Sequence, residues 1–427
     1  MGFEVKARRG KIKVIVIKSP PSPNLTKAPK KSWRSSVTLA FACFFLVVLL
    51  YSLLVYVVPT LSGQDIAESF DAFSYAEWLQ EDPEFIKERQ PFLTAYPASL
   101  AATLLPIYAA ILHFSLLAVP LVILCKHLKR HEMFIFFAAL SIPESAIFLG
   151  AVSKEGLSIV AVIAALAGQK LFFEKKIAQS ILLTACAIGI AAFSRPGFGY
   201  LFLVAVLGGY YPSLTKRNKA VIRWLVMFSV VMLIWIILYG PLKEQASEAY
   251  TNGKEFIEWF EVNLSNDDSA FKSSVRGIFA LVFLYDQPSL IFLSIAVISG
   301  FMKAVVYFLA IPAIAFPSFT KMPSLTWALT WQFAVSTSSI VLVYNTWTIF
   351  KMRRQLTVEN RCRLWFGYIF FFLLAISTFI FHVRYRAPAV VAILIACWMA
   401  RGKGASSVVS MTIPALCGAC YAILSTA

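Results

Sequence analysis

Three cationic side chains, His382, Arg384 and Arg386, fall within the ten residues "FHVRYRAPAV" at 381–390, between the apolar runs "WFGYIFFFLLAISTFI" and "VVAILIACWMA". A small polar turn would suffice to join two such runs. Arg presents a planar fork that grips a diphosphate through paired N–H bonds, and a neighbouring His donates to phosphate or relays a proton. Two other short connections carry cations in apolar surroundings, Lys154 beside Glu155 in "SKEG" and Arg195 in "SRPGFG", and Arg276 adds a third cation at the end of a long polar segment. Taken singly, each is equally an interfacial side chain snorkelling to lipid phosphate. Together they form a set suited to anchoring a diphosphate.

Acids supply the complementary chemistry. In "SGQDIAESFDAFSYAEW", a helix at 100° per residue brings Asp65, Glu68, Asp71 and Tyr75 within about a third of the circumference. Carboxylates so crowded raise one another's proton affinity, which suits a general base or a hydroxyl ligand. The competing reading is an acidic loop that keeps an outer surface hydrated.

The elements that must position these groups follow from composition. Of 427 residues, 59% are hydrophobic and 14% charged, and the mean hydropathy is +0.74. That composition describes a chain dissolved in lipid. Apolar runs of about 17–25 residues recur and are continuous rather than alternating, so an all-α, polytopic transmembrane helix bundle of about 11–13 spans is expected. The expected spans lie near 37–61, 103–125, 133–152, 156–173, 177–193, 198–213, 220–239, 278–301, 304–319, 325–350, 364–381, 387–400 and 405–425. Pro288, Pro312, Pro317 and Pro323 make 276–325 the segment most open to a re-entrant or broken helix.

Orientation is read from Lys and Arg, which are retained in the cytoplasm. Residues 1–36 carry ten of them against the single acid Glu4 and are expected to form a basic, disordered cytoplasmic tail, followed by one transmembrane domain over 37–427. The clusters "KHLKRHE", "EKK", "KRNK", "KMRRQLTVENRCR" and "RGKG" then all fall inside. The net charge of +17 is thereby a topology signal, and nucleic acid is excluded as a partner. Two outward loops, 62–102 and 240–277, hold fifteen of the 22 acids. The four cation-bearing connections also face outward, against the general trend. Deep within the apolar runs, Glu144, His113, Asp286 and Lys303 are the ionisable groups that stand out. Neither a phosphate loop nor a zinc spacing is present, and the C-x-x-C of "CGAC" reads as packing within an apolar run.

The order "DAFSY", "IPESAIFLGAVSKEGL", "FSRPGFGYL" and "VRYRAPAV" resembles bacterial membrane polysaccharide polymerases and the related GT-C-like glycosyltransferases of exopolysaccharide, capsule and O-antigen assembly. The resemblance implies a bacterial inner-membrane protein acting on a polyprenyl-diphosphate-linked glycan at the outer face of the cytoplasmic membrane. Membrane lipid and other polysaccharide assembly proteins would be its neighbours. It implies that Arg195, Arg384 and Arg386 hold the diphosphate, that Lys154 and Glu155 line the site, and that Asp71 lies nearest the acceptor hydroxyl; Arg276 and His382 join the diphosphate-binding set by their outward position alone. It implies no organic cofactor and leaves a divalent cation open. The chain departs from the GT-C pattern in lacking a large C-terminal soluble domain, and from O-antigen ligases in lacking their large His-bearing outer loop. A flippase or transporter of an anionic glycolipid and a non-catalytic subunit of an assembly complex are the alternative classes.

Overall fold

The computed structural model describes residues 38, 41–42, 44–50, 91–96, 105–126, 128, 132–133, 136–137, 140–195, 198–239, 304–305, 308, 325–377 and 386–401. Among them helix dominates and no strand occurs, so the described fold is all-α. The helices are α1 (Leu105–Cys125), α2 (Pro143–Gly150), α3 (Lys154–Phe173), α4 (Ile177–Ser194), α5 (Phe198–Gly209), α6 (Lys216–Tyr239), α7 (Leu325–Met352), α8 (Val358–Ser377) and α9 (Ala387–Arg401). Among the described residues three stretches, Ile107–Cys125, Lys154–Phe173 and Ile177–Ser194, are long and apolar enough to cross a membrane.

α3 is the axis. It packs against α1, α2, α4, α8 and α9, and nearly all of its residues are buried. Its sequence explains this centrality, because Gly156, Ala161, Ala164, Ala165, Ala167 and Gly168 keep its surface low enough for neighbouring backbones to approach. A Cβ at Gly168 would stand 2.5 Å from Thr184 Oγ1 of α4. The outer helices show the converse pattern: Ile181 and Leu182 of α4, Tyr200 of α5 and Trp224 of α6 stand exposed. Large apolar side chains displayed this widely suit a lipid surround.

The run 133–152, expected as one span, is interrupted. Ile142 is extended at φ −55° and ψ 134°, and α2 begins afresh at Pro143. Proline has no N–H to continue a helix and its ring drives the preceding residue out of the α region. α2 is eight residues long, about 12 Å at 1.5 Å per residue, and it contacts α1, α3, α7 and α9. A second correction follows at 153–156. That stretch, expected as a connection, is the start of α3: Ser153 is the N-cap, accepting from Gly156 N at 3.0 Å and donating to Phe148 O at 3.0 Å. Lys154 and Glu155 therefore ride on the first helical turn rather than on a loop. Likewise α8 starts at Val358, inside the stretch 351–363 that was expected to be a loop.

Part of the loop expected at 62–102 is also packed inward. Residues Pro91–Ala95 form a short 3-10 turn whose Phe92 and Leu93 are buried, and Tyr96 follows them into the core.

Helix direction sorts the charges into two ends. α3 and α4 form an antiparallel hairpin through 174–176, whose tight turn places Lys175 at φ 63°. Lys170, near the end of α3, donates to Glu359 in the first turn of α8 at 3.1 Å, so α8 runs against α3. Gly367 of α8 lies against Ile393 of α9, which returns the chain in the direction of α3. Lys170, Lys176, Lys216, Lys219, Lys351 and Arg353 thus share one end of the bundle, and Lys154, Glu155, Arg195 and Arg386 share the other.

Candidate functional site

At the second of these ends, the start of α3, the end of α4 and the start of α9 bring together the described candidates. Arg195 is the C-cap of α4, in extended backbone, and its N–H closes the helix onto Ala191 O. That geometry turns its side chain across to α3, where Nη2 stands 3.5 Å from Glu155 Oε1. The pair is asymmetric in exposure: the Arg195 side chain is 26% exposed and that of Glu155 8%. Below it, the hydroxyls of Ser158 and Ser194 lie 2.9 Å apart and lock the two helices at this level. Two sequence candidates assigned different chemistry, a carboxylate and a cation, are therefore neighbours.

Arg386 is placed differently. It is fully buried, and its fork closes on Glu144 of α2, Nε donating to Oε1 at 3.0 Å and Nη2 to Oε2 at 2.9 Å. Glu144 sits in the first turn of α2, where a carboxylate also complements the helix dipole. A bidentate pair in so dry a place satisfies both charges, and losing either partner strands the other. For this guanidinium to meet a phosphate, Glu144 would have to be displaced.

The other end of α2 is held by a group that sequence reasoning noticed only as a deep ionisable residue. His113 of α1 is fully buried. Its Nδ1 lies 2.8 Å from Leu149 O and its Nε2 3.1 Å from the Tyr96 hydroxyl. A carbonyl only accepts, so a neutral ring carries its proton on Nδ1 and Nε2 accepts from Tyr96. Leu149 lies in the last turn of α2, where carbonyls lack helical partners. The imidazole is gripped from behind by Gly156, where a Cβ would come 2.5 Å from His113 Cε1. So the short helix is bolted at both ends, by α9 through Glu144–Arg386 and by α1 through His113. The available sequence signal was a carboxylate and an imidazole inside apolar runs, which are rare and rarely idle.

Asp65, Glu68, Asp71, Arg276, His382 and Arg384 lie outside the described residues, as do Asp286 and Lys303. Lys154 is half-buried, beside Glu155 in the first turn of α3. Among the described residues, no three His, Cys, Asp or Glu side chains converge as a metal group, and Cys125, Cys186, Cys362 and Cys397 are free thiols. Comparison with protein-family models, with curated proteins and with solved structures finds no match to this chain. The chain is thus an all-α protein with helices long and apolar enough to cross a membrane and a half-buried Glu155–Arg195 pair at the end remote from its basic loops.

Proposed function

We propose that the chain is a polytopic, GT-C-like bundle of the bacterial inner membrane that transfers a sugar or oligosaccharide from a polyprenyl-diphosphate donor at the outer face, as a glycosyltransferase or polysaccharide polymerase. The observation carrying this reading is the Glu155–Arg195 pair, a carboxylate and a partly exposed guanidinium 3.5 Å apart at the end opposite the Lys/Arg clusters that mark the cytoplasmic side. In the transfer, the anomeric C–O bond to the diphosphate breaks and a new C–O bond forms to the acceptor oxygen. The hydroxyl proton passes to a carboxylate, and the two electrons of the broken bond leave with the diphosphate. Arg195, with Arg384, meets the charge that develops on the leaving group, and Glu155 or Asp71 receives the proton. Arg386 has a supporting part here, holding α2 through Glu144 beneath the site.

The test uses the purified full-length chain in liposomes given a polyprenyl-diphosphate-linked oligosaccharide, with products resolved by length. Chain lengthening without an ion gradient is the expected result. A second reading, translocation of an anionic glycolipid, draws on a different observation: a buried ion pair at a broken helix, Glu144–Arg386 at the start of α2, resembles the discontinuous helices around which transporters bind their cargo. Movement of labelled glycolipid between leaflets with no change in glycan length would favour that reading over transfer.

A further inference from the structure

The opposite end of the bundle holds an unbalanced charge. Glu359 of α8 accepts from Lys170 of α3 at 3.1 Å and also from Arg363, one turn further along α8, so one carboxylate serves two cations. Arg363 is buried, with Nη1 on Asn360 Oδ1 at 2.9 Å and Nη2 on Glu359, while its Nε–H meets no acceptor. Beside Lys170, Gln169 is fully buried, and neither its amide oxygen nor its amide nitrogen has a partner. The same neighbourhood joins the three helices: a Cβ on Gly209 of α5 would stand 2.8 Å from Gln169 Nε2 and 2.8 Å from Phe366 Cβ, and Phe366 is one turn beyond Arg363. A surplus positive charge at the partly exposed Lys170–Glu359 pair, together with a buried idle guanidinium N–H on Arg363 and a buried idle amide on Gln169, raises the free energy of the folded chain unless something polar meets these groups.

We propose that the junction of α3, α5 and α8 binds a phosphate group. Phosphate oxygens accept from Arg363 Nε–H and Gln169 Nε2–H, a protonated phosphate oxygen donates to Gln169 Oε1, and the anion's charge offsets the second cation that Glu359 leaves unmatched. The junction lies at the end that bears Lys216, Lys219, Lys351 and Arg353, where an anionic lipid headgroup and free phosphate are both within reach. Phosphate chemistry is common to the two, and the experiment separates them.

The full-length chain, purified in neutral detergent, is followed through thermal unfolding by tryptophan fluorescence. In one arm sodium phosphate replaces sodium chloride at equal ionic strength; in the other, phosphatidylglycerol replaces phosphatidylcholine in mixed micelles. A saturating ligand is expected to raise the midpoint by about 3 °C or more, and Gln169→Leu is expected to abolish that increment. A rise in the first arm identifies free phosphate, and a rise in the second alone identifies a lipid headgroup. If Gln169→Leu does not accumulate, Lys170→Gln replaces it: removing one of the two cations removes the surplus charge, and the increment should vanish. No increment in either arm, or an equal increment in wild type and variants, overturns the proposal and leaves the junction as a polar packing site.

Discussion

Arg386 and Glu144 meet through two parallel hydrogen bonds of 3.0 and 2.9 Å, with both side chains almost entirely out of solvent. The contact ties the start of α9 to the start of α2. It also recasts one of the arginines of "VRYRAPAV" as a structural anchor. Its energetic signature should be that of a buried pair. Arg386→Met or Glu144→Leu alone should cost about 3–5 kcal/mol, whereas the double variant carrying both substitutions should recover most of that loss. Reversible SDS denaturation of the four forms measures the cycle. Additive losses would mean that the two residues do not act as a pair.

The second pair should behave in the opposite way. Because Arg195 is partly exposed and 3.5 Å from Glu155, Arg195→Lys should change stability by less than about 1 kcal/mol. Polymer formation, however, should fall at least about tenfold, equivalent to roughly 1.4 kcal/mol, because a point ammonium does not reproduce a fork on a diphosphate. Arg384→Lys should behave likewise. Normal product length and yield from both variants would return these arginines to the role of lipid anchors.

At the imidazole, substitution is limited by space. Gly156→Ala forces a methyl group to 2.5 Å from His113 Cε1 and closer still to Phe148 O, an overpacking expected to cost about 1–3 kcal/mol. Pairing it with His113→Ala should give less than the sum of the two losses, since the share of the clash that falls on the ring disappears with it while the contact with Phe148 O remains. Tyr96→Phe, which removes only the donor to Nε2, should cost about 1 kcal/mol. Thermal midpoints of the purified variants decide the matter, and strict additivity for the 113/156 pair would contradict the packing described.

Topology has its own test. A cysteine at Ser69 or Asn266, both in the acidic segments, should react with an impermeant thiol reagent on intact cells. One at Asn218, in the first turn of α6 beside Lys216 and Arg217, should react only after lysis. Reaction at 218 alone would invert the orientation and place the Glu155–Arg195 end in the cytoplasm.

Much of the architecture is legible from local sequence. Hydropathy runs locate α1, α3 and α4 within a few residues, because a helix in an apolar medium must satisfy its own backbone and so needs a continuous apolar stretch. The segregation of Lys and Arg anticipates which helix ends lie together. Pro143 marks the break before α2, although a run from 133 to 152 long enough for one span concealed it; the proline's missing N–H outweighs hydropathy there. What local pattern does not contain is pairing. Glu144 and Arg386 are separated by 242 positions, and each read alone is a costly charge in an apolar run. Only the packing of α2 against α9 shows that the two cancel. The same holds for His113, whose partners Tyr96 and Leu149 come from two other segments, and for Lys170, which tertiary structure sets on Glu359, a carboxylate that Arg363 reaches locally at i, i+4. Composition and periodicity determine which segments become helices. The partner of each buried charge is decided only by helix packing, because the cost of burying a charge depends on what lies within a few ångströms of it.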